Sequence, residues 1–253
     1  MRKTLALATA VLAALVLVGA ALGTHSWGSY HWSRTVNPFT LKLGDNVSPA
    51  WDSYLATTSS DWSVSTVLDT TIVTPGAGIT NCGASAGRVE VCNNTYGSNG
   101  WLGVAQIWAS GAHITQATVK VNDTYFNTST YNTTAWRNLV MCQEVGHTFG
   151  LDHQDENSNN TNLGTCMDYT NDPSSNQHPN PHDFEQLVAI YTHLDSTSGG
   201  GSTCPGKSKK CLNGLDKAPP FSQASRANGN VYFDDLGNGR HRVTHVFWTP
   251  FGE

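Results

Sequence analysis

The chain has 253 residues, a formal net charge of -5 and only 13% charged side chains. A protein that binds nucleic acid normally presents a basic stripe, so this composition argues against a nucleic acid partner. The length suffices for one large domain with a proper hydrophobic core, with or without a small appendage. We expect a monomer.

The N-terminus predicts an exported protein. Met1–Lys3 is a short basic start, Leu5–Leu22 is an apolar run, and the small residues Gly19–Ala21 suit a signal peptidase. This pattern is typical of a secretory signal peptide, which we place at residues 1–21. An uncleaved anchor is the alternative, because the run is close to the shortest length that spans a bilayer. With cleavage, the chain is secreted and keeps no stable membrane anchor.

Six cysteines in an exported chain predict three disulfides. Their spacing favours three pairs, Cys82 with Cys92, Cys142 with Cys166, and Cys204 with Cys211. Six cysteines allow 15 pairings, so the connectivity stays open at this point. A cysteine metal site is disfavoured because no two cysteines are separated by two residues.

The first half of the chain predicts one helix and a set of strands. Ser48 and Pro49 are a helix N-cap and a proline at the first helical position, and aromatic residues follow at helical spacing to about Ser59. Apolar runs and alternation predict strands at Val64–Val73, Arg88–Val91, Trp101–Trp108 and Ile114–Val121.

The second half predicts two further helices and a hairpin. A helix buried on nearly all sides is expected from Thr134 to Phe149, and Asn180 and Pro181 open the last helix. A Gly/Ser linker follows at 196–202. The strong turn signal at Asn238–Gly239 lies between strand-like runs at Val231–Phe233 and Val243–Trp248.

The predicted helix over Thr134–Phe149 carries metal-site spacing. Gln143 and His147 are four residues apart, which places both side chains on one helix face, and Glu144 has the position of a base that activates a metal-bound water. Gly150 can adopt the left-handed conformation that turns the chain and brings His153 back toward the same point.

These residues, with Gly164–Tyr169, resemble the metzincin clan of zinc endopeptidases. The clan pattern is His-Glu-x-x-His-x-x-Gly-x-x-His followed by a turn that contains a methionine. Met167 matches this methionine, and Tyr169 matches a tyrosine of astacin-like and serralysin-like members that binds zinc or stabilises the oxyanion. Over about residues 45–195 the chain is most similar to the matrixins, and it departs from the clan pattern at Gln143.

The resemblance implies an α+β fold of the zincin type: a mixed sheet with an active-site helix, a Met-turn and a C-terminal helix, plus a small C-terminal β appendage. It implies a metallopeptidase domain at 22–195, followed by a linker and tail at 196–253. The implied activity is zinc-dependent cleavage of peptide bonds in peptides or proteins, with Glu144 as general base and Tyr169 as oxyanion donor. An edge strand would bind the extended substrate, and the positions concerned are Leu102, Gly103, Val104 and Ala105.

Gln143 leaves three interpretations open. In the first, its amide oxygen binds zinc beside His147 and His153. In the second, Asp155 or Tyr169 replaces Gln143 as the third ligand. In the third, the metal is lost and the fold serves as a catalytically inactive module that binds peptides or proteins. Tyr169 as a purely structural hydrogen-bonding residue is a further alternative.

Several other residues keep a minor role. Cys142 could be a soft ligand, but it points about 100° from Gln143 on the helix, and a disulfide with Cys166 is preferred. The Asp- and Asn-rich run 152–162 could supply oxygens to Ca²⁺, but it lacks the spacing of a calcium loop and we interpret it as a solvated loop. His113 and His182 are interpreted as surface or structural residues, with an outer metal ligand as the alternative.

Overall fold

The computed structural model describes residues 25–76, 81–196 and 217–250. The predicted signal peptide and the predicted Cys204–Cys211 pair lie outside these ranges. Within them, no helix combines the length and the apolar character that crossing a bilayer requires.

In the described part of the chain, eight strands form one mixed sheet. They are β1 (His31–Trp32), β2 (Phe39–Asn46), β3 (Leu68–Val73), β4 (Arg88–Asn94), β5 (Trp101–Ser110), β6 (His113–Asn122), β7 (Val231–Gly237) and β8 (Arg240–Trp248). The strand order is β3-β2-β4-β6-β5-β8-β7, and β1 pairs with the start of β6. The pairs from β3 to β6 are parallel, whereas β5, β8 and β7 each run antiparallel to the preceding strand.

Four α-helices within the described ranges accompany the sheet: α1 (Asp52–Trp62), α2 (Asp123–Phe126), α3 (Thr134–His147) and α4 (Pro181–Ile190). Thr133 caps α3 by accepting a hydrogen bond from the Trp136 amide, and Asn180 forms a capping box with Asp183 at the start of α4. Every residue of α3 from Trp136 to His147 is buried, as its sequence pattern predicts.

The core lies between the sheet, α1 and α3. Trp62 of α1 is fully buried and donates through its indole nitrogen to the Cys142 carbonyl of α3, at 3.2 Å. Gly146 of α3 leaves room for Trp62 and for the Met167 sulfur, since a Cβ there would lie 2.7 Å from each. The turn that holds Met167 therefore packs directly on the helix, and the Cys142–Cys166 disulfide joins the two.

The α+β architecture with a mixed sheet is confirmed, and the three predicted helices are present. The first helix begins later than predicted, at Asp52 with Trp51 as its N-cap, so Ser48 and Pro49 lie outside it. The disulfides Cys82–Cys92 and Cys142–Cys166 are present. The predicted hairpin is also confirmed, with its turn at Asn238–Gly239.

The fold differs from the sequence predictions at two further points. The C-terminal hairpin is not an appendage, because β8 pairs with β5 along its length and so extends the main sheet. Strand β2 was not predicted, although its buried Leu41 and Leu43 alternate with exposed Thr40 and Lys42 in the manner of a half-buried strand.

Candidate metal centre

The end of α3 brings two histidines together. Gly150 takes a φ of 93°, and the chain turns sharply between His147 and His153. The Nε2 atoms of the two imidazoles then lie 3.1 Å apart, with the rings nearly perpendicular. Both side chains are buried. The predicted pairing of His147 with His153 is present in the structure.

A third histidine joins them from the C-terminal hairpin. His245 of β8 is fully buried, and its ring centroid lies 4.0 Å from that of His147 and 4.7 Å from that of His153. One nitrogen from each of the three rings lies within 4.8 Å of the others. Sequence reasoning missed His245, although it shares a strand face with Val243 and Phe247, which signals an inward-facing imidazole.

Glu144 lies beside this cluster with its carboxylate fully buried. Its Oε2 is 3.2 Å from His245 Nδ1. Burial holds the pKa of Glu144 well above its ordinary value. A Cβ on Gly103 would lie 2.7 Å from Glu144 Cγ, so glycine is what leaves space for the carboxylate.

Gln143 is tied to the Met-turn. Its amide nitrogen donates to the Cys166 carbonyl at 2.7 Å, and within the described ranges its Oε1 atom is buried without a hydrogen-bond partner. The three-histidine cluster is complete without it. Coordination of a metal by Gln143 remains a prediction, and the unpaired Oε1 atom is the atom that would bind the metal.

Outer contacts orient the imidazoles for metal binding. His147 Nδ1 donates a hydrogen bond to the Leu151 carbonyl at 2.9 Å, which leaves the lone pair of the neutral ring on Nε2. Trp27 stacks on the same ring at 4.8 Å, and His153 Nδ1 lies 3.5 Å from carboxylate oxygens of Asp152 and Glu156. Burial lowers the pKa of His147 and of His245, which favours the neutral form that ligates metals.

Tyr169 borders the cluster from the turn after Met167. Its hydroxyl is 3.0 Å from His245 Nε2 and accepts a hydrogen bond from the Asn230 amide, and its ring lies 4.3 Å from the ring of His153. Burial raises the pKa of Tyr169, so the phenol keeps its proton and can donate it in a hydrogen bond.

Asp155, the other residue considered as a replacement for Gln143, forms hydrogen bonds within its own loop. Its carboxylate accepts hydrogen bonds from the Asn157 backbone and the Asn160 side chain within its own loop. This loop is part of the run considered for Ca²⁺, and the Asp155 oxygens accept hydrogen bonds from other residues of the loop. His182 packs on His25, at 4.9 Å between ring centroids, and is not part of the cluster.

The expectation of a free substrate-binding edge strand is wrong. The strand that carries Leu102–Ala105 pairs with β6 on one side and with β8 on the other, and Ala105 lies opposite His245. Backbone groups that would bind an extended peptide are already paired with β8, because the hairpin supplies the same ladder of hydrogen bonds.

A cavity of about 340 Å³ opens on the other side of Tyr169. Its lining combines aromatic, amide and charged groups, namely Tyr169, Asn230, Phe247, Trp248, Glu156 and Arg226. Tyr169 therefore both lines the cavity and contacts His245 of the histidine cluster.

The donor set fits zinc. Two nitrogens that bind one tetrahedral zinc ion at about 2.05 Å lie about 3.3 Å apart, close to the 3.1 Å between His147 and His153. Three imidazoles with a neighbouring carboxylate match a zinc site that keeps one open position. The Glu144 Oε1 atom, buried and without a partner among the residues described, supplies the acceptor that a water in that position requires.

Comparisons with known proteins give distant structural matches. No protein-family profile and no curated protein sequence matches the chain. Among solved structures, the chain is similar to myroilysin, with 13% identity over 67% of this chain and 99% of that one and a TM-score of 0.39. It is also similar to high choriolytic enzyme 1, a hatching enzyme zinc-protease from Oryzias latipes (medaka fish), with 9% identity over 65% and 95% of the two chains and a TM-score of 0.36.

Proposed function

We propose that this chain is a secreted zinc-dependent endopeptidase whose metal is held by His147, His153 and His245. The observation that carries the proposal is the convergence of three buried imidazoles, two from the end of α3 and its turn and one from β8, beside the buried Glu144 carboxylate. Gln143 then holds the Met-turn against α3, and His245 supplies the ligand that the first histidine of the clan pattern would provide.

The chemistry follows from the groups around the cluster. Bound zinc supplies a Lewis acid that polarises the scissile carbonyl and acidifies a water. Glu144 accepts the proton of the attacking water and delivers it to the leaving amine, and its raised pKa favours holding that proton in between. The Tyr169 phenol donates a hydrogen bond to the developing oxyanion.

The substrate is a peptide segment that enters from the cavity beside Tyr169. The usual route, strand addition to β5, is closed by β8. The cavity offers Phe247 and Trp248 to apolar side chains, and Glu156 and Arg226 to polar ones. This mode of entry favours flexible chain segments over folded proteins.

Zinc content and hydrolysis of an unfolded protein such as casein test the proposal. We expect His245→Ala to lower the zinc content by one equivalent, and Glu144→Gln to keep the zinc but lower kcat by a factor of about 10² to 10⁴. Glu185→Gln, at an exposed carboxylate of α4, is the control and should change neither quantity. A zinc content that does not fall in His245→Ala, or hydrolysis that survives Glu144→Gln, would contradict the proposal.

A catalytically inactive peptide-binding protein is the second candidate. The pairing of β8 with β5 favours it, because this pairing covers the strand on which a peptidase would align its substrate. Zinc-loaded protein that binds casein-derived peptides with no hydrolysis, and equally well in the Glu144→Gln variant, would support this alternative.

A further inference from the structure

A second group of histidines lies where three distant chain segments meet. His31 of β1 and His113 of β6 are directly opposite each other in the parallel register of these strands. Asp195, after the end of α4, directs its Oδ1 atom at both rings, 3.1 Å from His113 Nε2 and 3.6 Å from His31 Nε2. His193 joins them, with its Nε2 3.3 Å from His31 Nε2 and 3.9 Å from Asp195 Oδ1.

We propose that His31, His113, His193 and the Oδ1 atom of Asp195 form a second zinc site, which shares no residue with the cluster around His147. Three imidazole nitrogens and one carboxylate oxygen are a complete tetrahedral donor set for this ion. This proposal is independent of the peptidase activity.

The distances support a shared central ion. Neighbouring donors around a tetrahedral zinc ion are about 3.3 Å apart, and four of the six separations among these donors are 3.1, 3.3, 3.6 and 3.9 Å. The ligand atoms of His31, His113 and Asp195 all lie within 4.8 Å of one another. Direct hydrogen bonds account for the two shorter contacts only, because 3.6 and 3.9 Å exceed the range of such bonds.

The tautomer of His31 also supports a cation at this site. Its Nδ1 lies 2.7 Å from the Ser29 carbonyl, so the proton resides on Nδ1 and the neutral ring directs an Nε2 lone pair at Asp195. A lone pair and a carboxylate oxygen that face each other repel, and a cation between them removes that repulsion.

Asp195 is held in place as a ligand by contacts on its other side. Its Oδ2 accepts hydrogen bonds from the Arg34 backbone N–H and guanidinium, both at 3.1 Å, and its own N–H donates to the Arg34 carbonyl at 2.9 Å. Such outer partners orient ligating carboxylates in metal sites. The Oδ1 atom is thereby left to the three histidines.

The ion would join the N-terminal segment, the start of β6 and the chain after α4. Binding that occurs only in the folded protein adds to its stability, so zinc should raise the melting temperature through this site.

Zinc stoichiometry after dialysis tests the proposal, measured on the purified chain. We expect two zinc ions in the unmodified protein and one in each of the variants His113→Ala and His193→Ala. The His147→Ala variant should keep the second ion whether or not the protein is a peptidase. In His113→Ala and His193→Ala, the zinc affinity of the second site should fall by more than about 100-fold, because loss of an outer-shell partner alone costs about 10- to 100-fold.

His193→Ala guards against misfolding, because 57% of this side chain is exposed. His178→Ala is its matched control, since His178 is 54% exposed and also faces an aspartate, Asp61 at 2.7 Å. The control should keep both ions. The proposal is overturned if the protein binds no zinc beyond that lost in His147→Ala, or if His113→Ala and His193→Ala both retain the second ion.

Discussion

Gly150 links the geometry of the metal centre to a single backbone conformation. Its φ of 93° lies in the region that side chains with a Cβ avoid, and a Cβ there would lie 2.3 Å from the Tyr30 carbonyl oxygen. The turn that directs His153 toward His147 therefore depends on glycine for two separate reasons.

We expect Gly150→Ala to lower the free energy of unfolding by more than about 2 kcal/mol, because the left-handed conformation alone costs about 1–2 kcal/mol and the close approach adds to it. Gly164→Ala is the matched control, since Gly164 has a φ of 72° with nothing within 4 Å of a Cβ. It should lose only the conformational part. Urea unfolding of both variants measures the difference, and equal losses would show that the Tyr30 contact is unimportant.

At the scale of elements, α3 and the Met-turn form one unit. The Cys142–Cys166 disulfide joins them, Gln143 donates to the Cys166 carbonyl, and the Met167 sulfur fills the space above Gly146. This unit carries His147 and lies directly before Tyr169, so its rigidity determines how well the site is preorganised.

Replacing both Cys142 and Cys166 by alanine should destabilise the fold by about 3.5 kcal/mol on the chain-entropy relation, given a sequence separation of 24. Replacing Cys82 and Cys92, separated by 10 residues, should cost about 2.7 kcal/mol. Chemical unfolding compares the two double variants. A larger loss for the Cys82–Cys92 pair would mean that loop closure is not the dominant contribution.

At the scale of the whole molecule, buried histidines connect stability to pH. Burial lowers the pKa of His25, which lies close to Asp183 and His182 and whose Nδ1 bonds to the Asp152 carbonyl. Burial likewise lowers the pKa of His241 on β8. The unfolded chain then binds more protons than the folded chain just below the ordinary histidine pKa of 6.5.

The free energy of unfolding should therefore fall as the pH is lowered from about 7 to 5, by about 1.4 kcal/mol for each unit by which a histidine pKa is depressed. Comparing His25→Gln with the unmodified protein in the same buffers isolates one contribution, because all other titrating groups are shared. The variant should lose less stability on acidification, while the exposed His178→Gln control should follow the unmodified protein. An unchanged pH slope in His25→Gln would refute the assignment.

The sequence by itself determined those features that depend on local spacing. Helix α3, the close approach of His147 and His153 through Gly150, and the hairpin turn all follow from residues that are near each other in the chain. Helical periodicity and turn chemistry act over such distances, so they can be read from the chain alone.

Only the tertiary structure decided what completes the centre and what covers it. Glu144 and His245 are 101 positions apart, and they meet because β8 pairs with β5 in one particular register. A shift of one residue would turn His245 to the opposite face of the sheet. The grouping of His31, His113 and Asp195 depends in the same way on the pairing of β1 with β6 and on where α4 ends.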